Sequence, residues 1–443
     1  MRAFVAAIIV ALFGALAIGT QAASRPVPPR DAFRPVAADS TWYASLPPDP
    51  AAATAAFLQR VPADARTRGD AFGATRYVTL PLRIAVLVGS VLLLLFSGAA
   101  VRMRGFAERL TKARPAQDAV VSLLMFAALF ALSLPVESYA GYARFRAAGF
   151  SGASYWQWLT DTTMAWATIT PFYVVGIVAI MALIRARPRS WMAWASGVYL
   201  VVSASYVLVA PVLIEPLFNE LTPLAEGPQK EAILALAREH GVPAADVFVR
   251  DASRQGTLLD AHVSGFAGSA RIVLDDNTIA TATDAEVRMV MAHEIGHYVL
   301  GHIPKGILFD AAIMALGIVL VGWSAGRFLA RYGTRLGISR VGDVAALPLL
   351  WGSFLLWGFV AIPATNGVSR YQERQADRFG LDASHEPIAL AEYMIRDADT
   401  GQLDPAALEE WIFYGHPSPR RRIEMAMRWR AEQGETRSSD PAR

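Results

Sequence analysis

Long runs of apolar residues alternate with polar stretches along most of the chain. Seven runs stand out: Ala3–Ile18, Leu80–Ala100, Ala119–Val136, Met164–Ile184, Trp191–Ile214, Ile307–Ala325 and Val344–Ile362. Each is near the roughly 20 residues with which an α-helix crosses the hydrocarbon core of a bilayer. So many runs in one chain predict a mainly α-helical, polytopic membrane bundle with about seven spans, rather than the buried helices of a large soluble core.

The pattern also predicts how the chain is divided. It indicates a first membrane segment (1–22), an exported loop (23–78), spans two to five (79–216), a polar segment (217–304), a membrane hairpin of spans six and seven (305–365), a second polar segment (366–432) and a disordered tail (433–443). The loop 23–78 is rich in proline and alanine, and we expect short helices in it, such as Pro50 to Leu58.

The first run has two interpretations. Ala3–Ile18 behind Arg2 is similar to the apolar region of a signal peptide, and Thr20-Gln21-Ala22 is similar to a small-residue cleavage site. Alternatively, the segment stays attached as the first membrane helix. We expect retention, because other spans follow and the run is long for a signal peptide.

The segment 217–304 predicts a small α+β unit. A helical pattern, Gln229–His240, ends at Gly241, and three stretches have the pattern of strands: Asp246–Arg250, Leu258–Phe266 and Arg271–Asp275. Asp276-Asn277 predicts a turn after the last strand. We expect a sheet that packs on the following helix, with an exposed strand able to pair with the backbone of an extended peptide.

That following helix carries the strongest chemical signal in the chain. Thr283 and Glu286 form a capping-box pattern, and the helix continues without proline through His293-Glu294-Ile295-Gly296-His297. Histidines four residues apart project from one helical face, so His293 and His297 can occupy two corners of a zinc tetrahedron. Glu294 is then placed to act as general base toward water at the metal. The alternative is a chance H-E-x-x-H pattern on a surface helix.

Two histidines leave a zinc site one ligand short, and the candidate lies after the seventh span. Glu373 and Asp377 are four residues apart and share a helical face. Glu373 completes a His₂Glu set, and Asp377 can accept a hydrogen bond from a ligand histidine and fix its tautomer. The alternative is a solvated charged helix, because arginines at 370, 374 and 378 are interleaved with these acids.

Composition and charge narrow the picture. The chain has 443 residues, 54% of them hydrophobic, and no cysteine, so disulfides, thiolate ligands and a cysteine nucleophile are excluded. The net charge is only +3, and no arginine-rich arm with interleaved aromatics indicates binding of nucleic acid.

The distribution of the charge predicts an orientation. Basic residues follow the second, fourth and sixth spans: Arg102, Arg104, Arg109, Lys112, Arg114, Arg185, Arg187, Arg189, Arg327, Arg331, Arg335 and Arg340. Because basic loops stay cytoplasmic, and with Arg2 inside, the seven spans place residues 20–78, the polar segments and the C-terminus outside the cytoplasm. We expect a multi-pass protein of a bacterial inner membrane.

These combined motifs resemble the M48 zinc metallopeptidases of the Ste24, or CAAX prenyl protease 1, type. The H-E-x-G-H helix, the E-x-x-x-D element after Ser369-Arg370, the seven spans and a zinc domain split around a membrane hairpin all correspond. The resemblance implies a helical chamber with an inserted gluzincin-like α+β domain. It also implies one Zn²⁺ per chain on His293, His297 and Glu373, with Glu294 as base and Asp377 in support.

The resemblance suggests further site residues. His416, in His416-Pro417-Ser418-Pro419, and Arg422 correspond to residues that line the active site: His416 would stabilise the oxyanion, and Arg422 would fix Glu373 or the substrate. The alternative is an exposed histidine before a basic helix face. His302, five residues past His297, points off the zinc face of a continuous helix and is interpreted as structural. Asp260-Ala261 stands where relatives carry Asn-Ala beside the substrate, which predicts an altered subsite.

The expected function is therefore hydrolysis of peptide bonds, CAAX-box protein processing included. Partners would be peptide or protein substrates, with or without a lipid modification, and membrane lipid. One alternative is a membrane quality-control protease without a prenyl requirement. A second is a non-catalytic protein whose chamber binds a lipid or peptide. A transporter is a third, although its spans should carry buried charges along a path, whereas most arginines here lie in loops.

Overall fold

The computed structural model describes residues 2–26, 35–264, 271–396 and 398–438. Its helices before the sheet are α1 Arg2–Ala23, α2 Ser40–Ala44, α3 Pro50–Gln59, α4 Ala63–Ala74, α5 Arg76–Phe96, α6 Ala99–Leu110, α7 Arg114–Glu137, α8 Arg144–Ala147, α9 Tyr155–Ala186 and α10 Trp191–Val209. Those that follow are α11 Pro228–Glu239, α12 Asp276–Thr281, α13 Asp284–Val299, α14 His302–Leu336, α15 Leu347–Ser384, α16 Pro387–Arg396, α17 Ala407–Phe413 and α18 Pro419–Ser438. The strands are β1 Leu221–Pro223, β2 Val247–Arg250, β3 Ala261–Ser264 and β4 Arg271–Asp275.

Seven helices in the described part of the chain are long and apolar enough to cross a membrane, which confirms the predicted number of spans. Six of them contact one another in a closed order, α5–α7–α9–α10–α14–α15 and back to α5, while α1 packs against α7. A closed ring of helices leaves an interior between them. The last two spans are longer than their apolar runs, because α14 begins at His302 and α15 continues to Ser384.

Contacts between loops support the predicted alternation of the spans. On one side, Arg68 before the second span donates to Ala148 O after the third at 2.9 Å, and Thr257 N in the polar segment donates to Phe150 O at 3.0 Å. Segments that touch must lie on the same side of a membrane. At the other end the basic loops meet each other, through ion pairs of Arg185 with Asp118 and of Arg104 with Asp343.

The sheet holds the zinc-motif helix in place. Its strand order is β1-β2-β4-β3, with β2 and β4 parallel and the other pairs antiparallel. The register places Val247 and Val263 on either side of Ile272. These residues share a buried core with Met291 and Ile295 of α13, so one apolar face of the sheet packs on that helix.

The sheet differs from the sequence prediction at three points. Strand β1 was not predicted. The predicted strand Leu258–Phe266 is observed only as Ala261–Ser264, and residues 265–270 lie outside the described part. The predicted turn at Asp276-Asn277 is wrong, because these residues begin helix α12. Asp276 accepts hydrogen bonds from Ser253 N and Oγ, which stabilise the start of this helix.

The loop 23–78 is also more than a surface connection. Phe57 and Leu58 of α3, in the predicted helix Pro50–Leu58, are buried against Ile423 and Met427 of α18 and Leu390 of α16. Helix α18 itself continues to Ser438, six residues into the segment predicted to be a disordered tail, and residues 439–443 lie outside the described part.

Candidate active site

The helix that carries H-E-x-x-H is fixed at its N-terminus. The capping box forms as predicted: Glu286 N donates to Thr283 Oγ1 at 3.3 Å, and Thr283 N donates to Glu286 Oε2 at 2.7 Å. Arg396 of α16 also holds Glu286, with Nη2–Oε1 at 2.6 Å. Because its first turn is anchored by the second polar segment, α13 cannot rotate freely against the rest of the site.

Two glycines bring α15 against α13. A Cβ added at Gly380 would lie 3.1 Å from His293 N, and one added at Gly296 would lie 3.0 Å from the ring of Phe379. The two helices therefore meet at a separation that side chains at these positions would prevent. This close approach places Glu373 and Asp377 beside the histidines of α13.

Three predicted ligand side chains converge. His293 Nε2 and His297 Nε2 are 3.0 Å apart, Glu373 Oε2 lies 3.3 Å from His293 Nε2, and Glu373 Oε1 lies 3.5 Å from His297 Nε2. Ligands at 2.0–2.1 Å in a tetrahedron are separated from one another by about 3.3 Å. The edges of this triangle match that spacing, and in the described part of the chain it is the group of three that fits a metal ion.

Hydrogen bonds to Nδ1 of each ligand histidine leave its Nε2 available to bind a metal ion. Asp377 Oδ1 lies 2.9 Å from His293 Nδ1 and can only accept, so Nδ1 carries the proton and Nε2 has a free lone pair. His302 Nε2 lies 3.3 Å from Gln375 Oε1 and donates to it, which makes His302 Nδ1 an acceptor for His297 Nδ1 at 2.9 Å. Nε2 is therefore the atom that both ligand histidines turn toward the same point, where it can bind a cation or carry a further proton.

This arrangement fits a cation. Two nitrogen lone pairs and a carboxylate face one another across about 3 Å, which is repulsive unless a positive charge lies between them. Glu373 Oε2 is buried and has no hydrogen-bond partner. Burial lowers the pKa of His293, but Asp377 and Glu373 outweigh it and raise that pKa to about 10, which reflects the excess of acceptor groups.

The contact of His302 with His297 differs from the sequence expectation. The expectation that His302 points off the zinc face assumed one continuous helix. Gly301 instead has φ +64°, so α13 ends at Val299 and α14 starts in a new direction at His302. His302 is buried and supports a ligand histidine. Gly301, four residues after His297, is the sequence signal that could have indicated this break.

Asp377 and Arg422 form a buried pair behind His293. Asp377 is fully buried, and Arg422 binds it twice, with Nε–Oδ2 at 2.8 Å and Nη2–Oδ1 at 2.5 Å. Asp377 thus lies where the sequence predicts. The expected partner of Arg422 was Glu373 or the substrate. Its guanidinium instead binds Asp377.

Glu294 lies beside this triangle without belonging to it. Its Oε1 is 3.9 Å from His293 Nε2. Burial raises the pKa of Glu294 to about 7, with the negative charges of Asp260 and Glu373 adding to the effect of burial. A carboxylate with a pKa near neutrality can both take and return a proton.

His416 and Asp260 lie at the exposed margin of the site. His416 Nε2 is 3.3 Å from Glu373 Oε1, and its side chain is 65% exposed. Asp260 precedes β3, is 60% exposed, and accepts a hydrogen bond from Arg250 Nη2 at 3.0 Å. Arg250 also binds Asp275, so the Asp260 carboxylate belongs to a network at the sheet edge.

All eight predicted site residues are near this site, although Arg422 has a supporting position.

The fold and the arrangement of the candidate ligands are those of a membrane metalloprotease, and comparison with known proteins supports that class. The model of peptidase family M48 matches residues 223–430, and the model for the CAAX prenyl protease N-terminal region, with five membrane helices, matches residues 77–220. The two matched regions adjoin and cover most of the chain. Residues 223–430 of this chain belong to peptidase family M48.

Two relatives with curated descriptions match this chain over similar shares of their lengths. The chain is 30% identical to the uncharacterized metalloprotease YhfN of Bacillus subtilis over 61% of this chain and 64% of that protein. It is 26% identical to CAAX prenyl protease 1 of Saccharomyces cerevisiae over 66% of this chain and 68% of that protein. The matched part of the chain thus spans about two thirds of these relatives' lengths.

A solved structure shares the whole architecture. The crystal structure of Ste24p from S. mikatae superposes with a TM-score of 0.67 and covers 95% of this chain and 99% of that chain, at 19% identity. At this identity the likeness concerns the fold. It confirms the predicted helical membrane bundle with an inserted peptidase domain.

Proposed function

We propose that this protein is a zinc metalloendopeptidase that hydrolyses peptide bonds at the end of its membrane bundle. One observation carries the proposal: His293 Nε2, His297 Nε2 and the Glu373 carboxylate form a triangle with edges of 3.0–3.5 Å, with the partly buried Glu294 beside it. Three such ligands that leave a fourth position open are typical of catalytic rather than structural zinc sites. The absence of cysteine restricts the ligands to this chemistry.

In the mechanism, each group of the chain has a separate task. His293, His297 and Glu373 hold the metal, and a zinc ion there supplies Lewis-acid chemistry toward water and a peptide carbonyl. Glu294 takes the proton from the attacking water and then delivers it to the amide nitrogen that leaves. Asp377 orients His293, and Arg422 keeps the buried Asp377 ionised. His416, at the exposed margin, donates a hydrogen bond to the carbonyl oxygen as it becomes negative.

The relatives and the site margin support a proposal for the substrate class. CAAX prenyl protease 1 of yeast is among the similar proteins, so we propose peptides near a membrane anchor, with prenylated CAAX sequences as the first candidates. Asp260 favours a different subsite preference, because its carboxylate is 60% exposed next to the edge strand β3. A general protease for membrane proteins, without a prenyl requirement, is the second candidate.

The test is cleavage by detergent-purified protein of matched prenylated and unprenylated peptides, with Glu294→Gln and a chelator as controls. Chelator-sensitive cleavage that requires the prenyl group supports CAAX processing. Equal cleavage of both peptides supports the general protease. If zinc is bound and neither peptide is cut by wild-type protein, the peptidase proposal fails for these substrates and the non-catalytic chamber becomes the better account.

We also propose that the peptidase domain lies outside the cytoplasm of a bacterial inner membrane. The basic loops meet at the opposite end of the bundle, and basic loops remain cytoplasmic. An alkaline phosphatase fusion after Arg443 should be active, and a green fluorescent protein fusion there should be dark. The opposite pair of results would reverse the orientation.

A further inference from the structure

The interior of the helical bundle contains an apolar cavity of about 420 Å³, lined by α9, α10, α14 and α15. Cavities for small ligands are usually about 300–1,000 Å³. None of its described lining residues carries a charge, and aromatic side chains such as Trp191, Trp351 and Phe354 form much of its wall. Water gains little from such a surface, so an apolar occupant is favoured.

The cavity is long in the direction of the helices. It is lined from Trp191 to Tyr206 along α10 and from Leu347 to Gly358 along α15. At 1.5 Å per residue these stretches are about 22 Å and about 16 Å long. One leaflet of a bilayer has about 15 Å of hydrocarbon, half of a core of roughly 30 Å. The length is therefore that of one extended hydrocarbon chain.

A polar pair lies about halfway along the α10 wall of the cavity, which leaves about 12 Å of that wall between Tyr199 and Trp191 for an apolar tail. Tyr199, which lines the cavity, donates a hydrogen bond to Asp310 Oδ2 at 2.7 Å. Asp310 lies on α14 between His302, which contacts His297, and Met314 of the cavity wall. A carboxylate within an apolar span is costly and typically marks a functional position. This pair offers a polar group at the point where a hydrocarbon chain would meet its head group.

We propose that this cavity binds a single hydrocarbon chain, with the polar attachment of the chain at Tyr199 and Asp310 and its tail between Trp191 and Trp351. Two sources share this chemistry: an acyl chain of a membrane lipid, and the chain of a lipid-modified peptide. In the second case the proposal rests on the peptidase function, because the helices that line the cavity also carry His302 and Glu373.

The test uses full-length Glu294→Gln protein in lipid nanodiscs, so that binding is measured without turnover. Palmitic acid with a terminal diazirine is added and irradiated, and labelled peptides are mapped by mass spectrometry. We expect labels on the segments that contain Trp191 and Trp351. Labels confined to lipid-facing segments outside the cavity would overturn the proposal.

A pair of glycine substitutions provides the matched comparison. A Cβ at Gly358, in the cavity wall, or at Gly326, on α14 outside it, meets nothing within 4 Å, so a side chain can start at either position without an immediate clash. Gly358→Leu fills the cavity and should reduce labelling by about tenfold, since each displaced methylene weakens binding severalfold. Gly326→Leu should label as the parent does. Equal labelling of both variants would refute the site.

Two further measurements keep the outcome interpretable. If Gly358→Leu unfolds at a lower temperature than Gly326→Leu, Gly176→Leu on α9 replaces it, because a Cβ there meets Val202 at an ordinary 3.7 Å. Competition by a prenylated peptide, and not by its unprenylated match, assigns the chain to a substrate. Phospholipid that co-purifies and is lost in the filled variant assigns it to the membrane. Zinc binding and peptide cleavage are measured in separate experiments. A loss of labelling therefore bears on the cavity and not on the peptidase function.

Discussion

Glu294 combines two properties that determine its role: it is close to the metal triangle, and burial raises its pKa to about 7. We expect Glu294→Gln to reduce kcat by on the order of 10²–10⁴, the usual contribution of a general base. The amide has nearly the same shape and no ligand is lost, so zinc per chain should be unchanged. Peptide cleavage and metal analysis by mass spectrometry check this. Near-normal activity of the variant would refute the mechanism.

The second residue-scale prediction concerns the pair behind His293. Asp377→Asn keeps the shape of the side chain but weakens the acceptor for His293 Nδ1, so zinc affinity should fall by about 10–100-fold. Arg422→Gln leaves the buried Asp377 without its cationic partner, which should cost about 3–5 kcal/mol of unfolding free energy. Zinc competition with a chelator and thermal unfolding in detergent measure the two effects.

The double variant Asp377→Asn/Arg422→Gln distinguishes a pair from two separate sites. Removing both charges also removes the uncompensated one, so the double variant should unfold at a higher temperature than Arg422→Gln alone. If the two changes simply add, Arg422 stabilises the protein by a route other than Asp377.

At this scale the sequence identified the residues that the structure brings together, but not all of the groups that support them. His293, His297, Glu294, Glu373 and Asp377 could be proposed because spacing puts the two histidines on one helical face and the two acids on another, but spacing does not show that these two helices meet. The partner of Arg422 could not be predicted, because Asp377 and Glu373 lie one helical turn apart. Only the packing of α18 decides which of them Arg422 binds. The role of His302 was missed because Gly301 changes the direction of the chain.

At the scale of elements, the approach of α13 and α15 sets the geometry of the metal triangle. Gly380→Ala would place a methyl 3.1 Å from His293 N and 2.6 Å from Met289 Cε. We expect it to push the helices apart, to cost about 1–3 kcal/mol of stability, and to weaken zinc binding. Thermal unfolding with and without chelator measures both effects.

A second glycine provides the control. A Cβ at Gly306 in α14 meets nothing within 4 Å, so Gly306→Ala should leave zinc binding intact and raise stability by up to about 1 kcal/mol through helix propensity. If Gly380→Ala behaves like Gly306→Ala, the glycine is not needed for the close approach.

The spans were predictable as elements because about 20 consecutive apolar residues have few alternatives. Short elements were not. Strand β1 has three residues and gains its stability by pairing with β2, so its sequence carries little periodic signal. The turn expected at Asp276-Asn277 became a helix because tertiary hydrogen bonds from Ser253 hold its first turn.

At the scale of the whole molecule, the segment before the second span completes the core of the peptidase domain. Phe57 is fully buried and packs edge-on to Trp42 at 5.1 Å between ring centroids. We expect Phe57→Ala to cost about 3–5 kcal/mol, because it leaves a cavity against α18. Zinc affinity should fall with it, since Arg422 lies on the same helix. Thermal unfolding and chelator competition measure these changes.

Phe106→Ala is the matched control, at the opposite end of the bundle. Phe106 is 46% exposed, so its truncation should change stability by no more than about 0.5 kcal/mol. Equal effects of the two variants would mean that the N-terminal segment does not support the peptidase domain. The sequence could not predict this docking, because the partners lie more than 300 residues apart and no local pattern connects them.

The split metal site has a consequence for the order in which the protein is made. His297 is synthesised before the last two spans and Glu373 after them, an interval of about 4–15 s at roughly 5–20 residues per second. Throughout that interval the nascent chain has only two of its three ligands. Tight metal loading, and with it any peptidase activity, must therefore wait until the final span is inserted. The membrane hairpin thus fixes the order of events: the last two spans are made before the metal site can be completed.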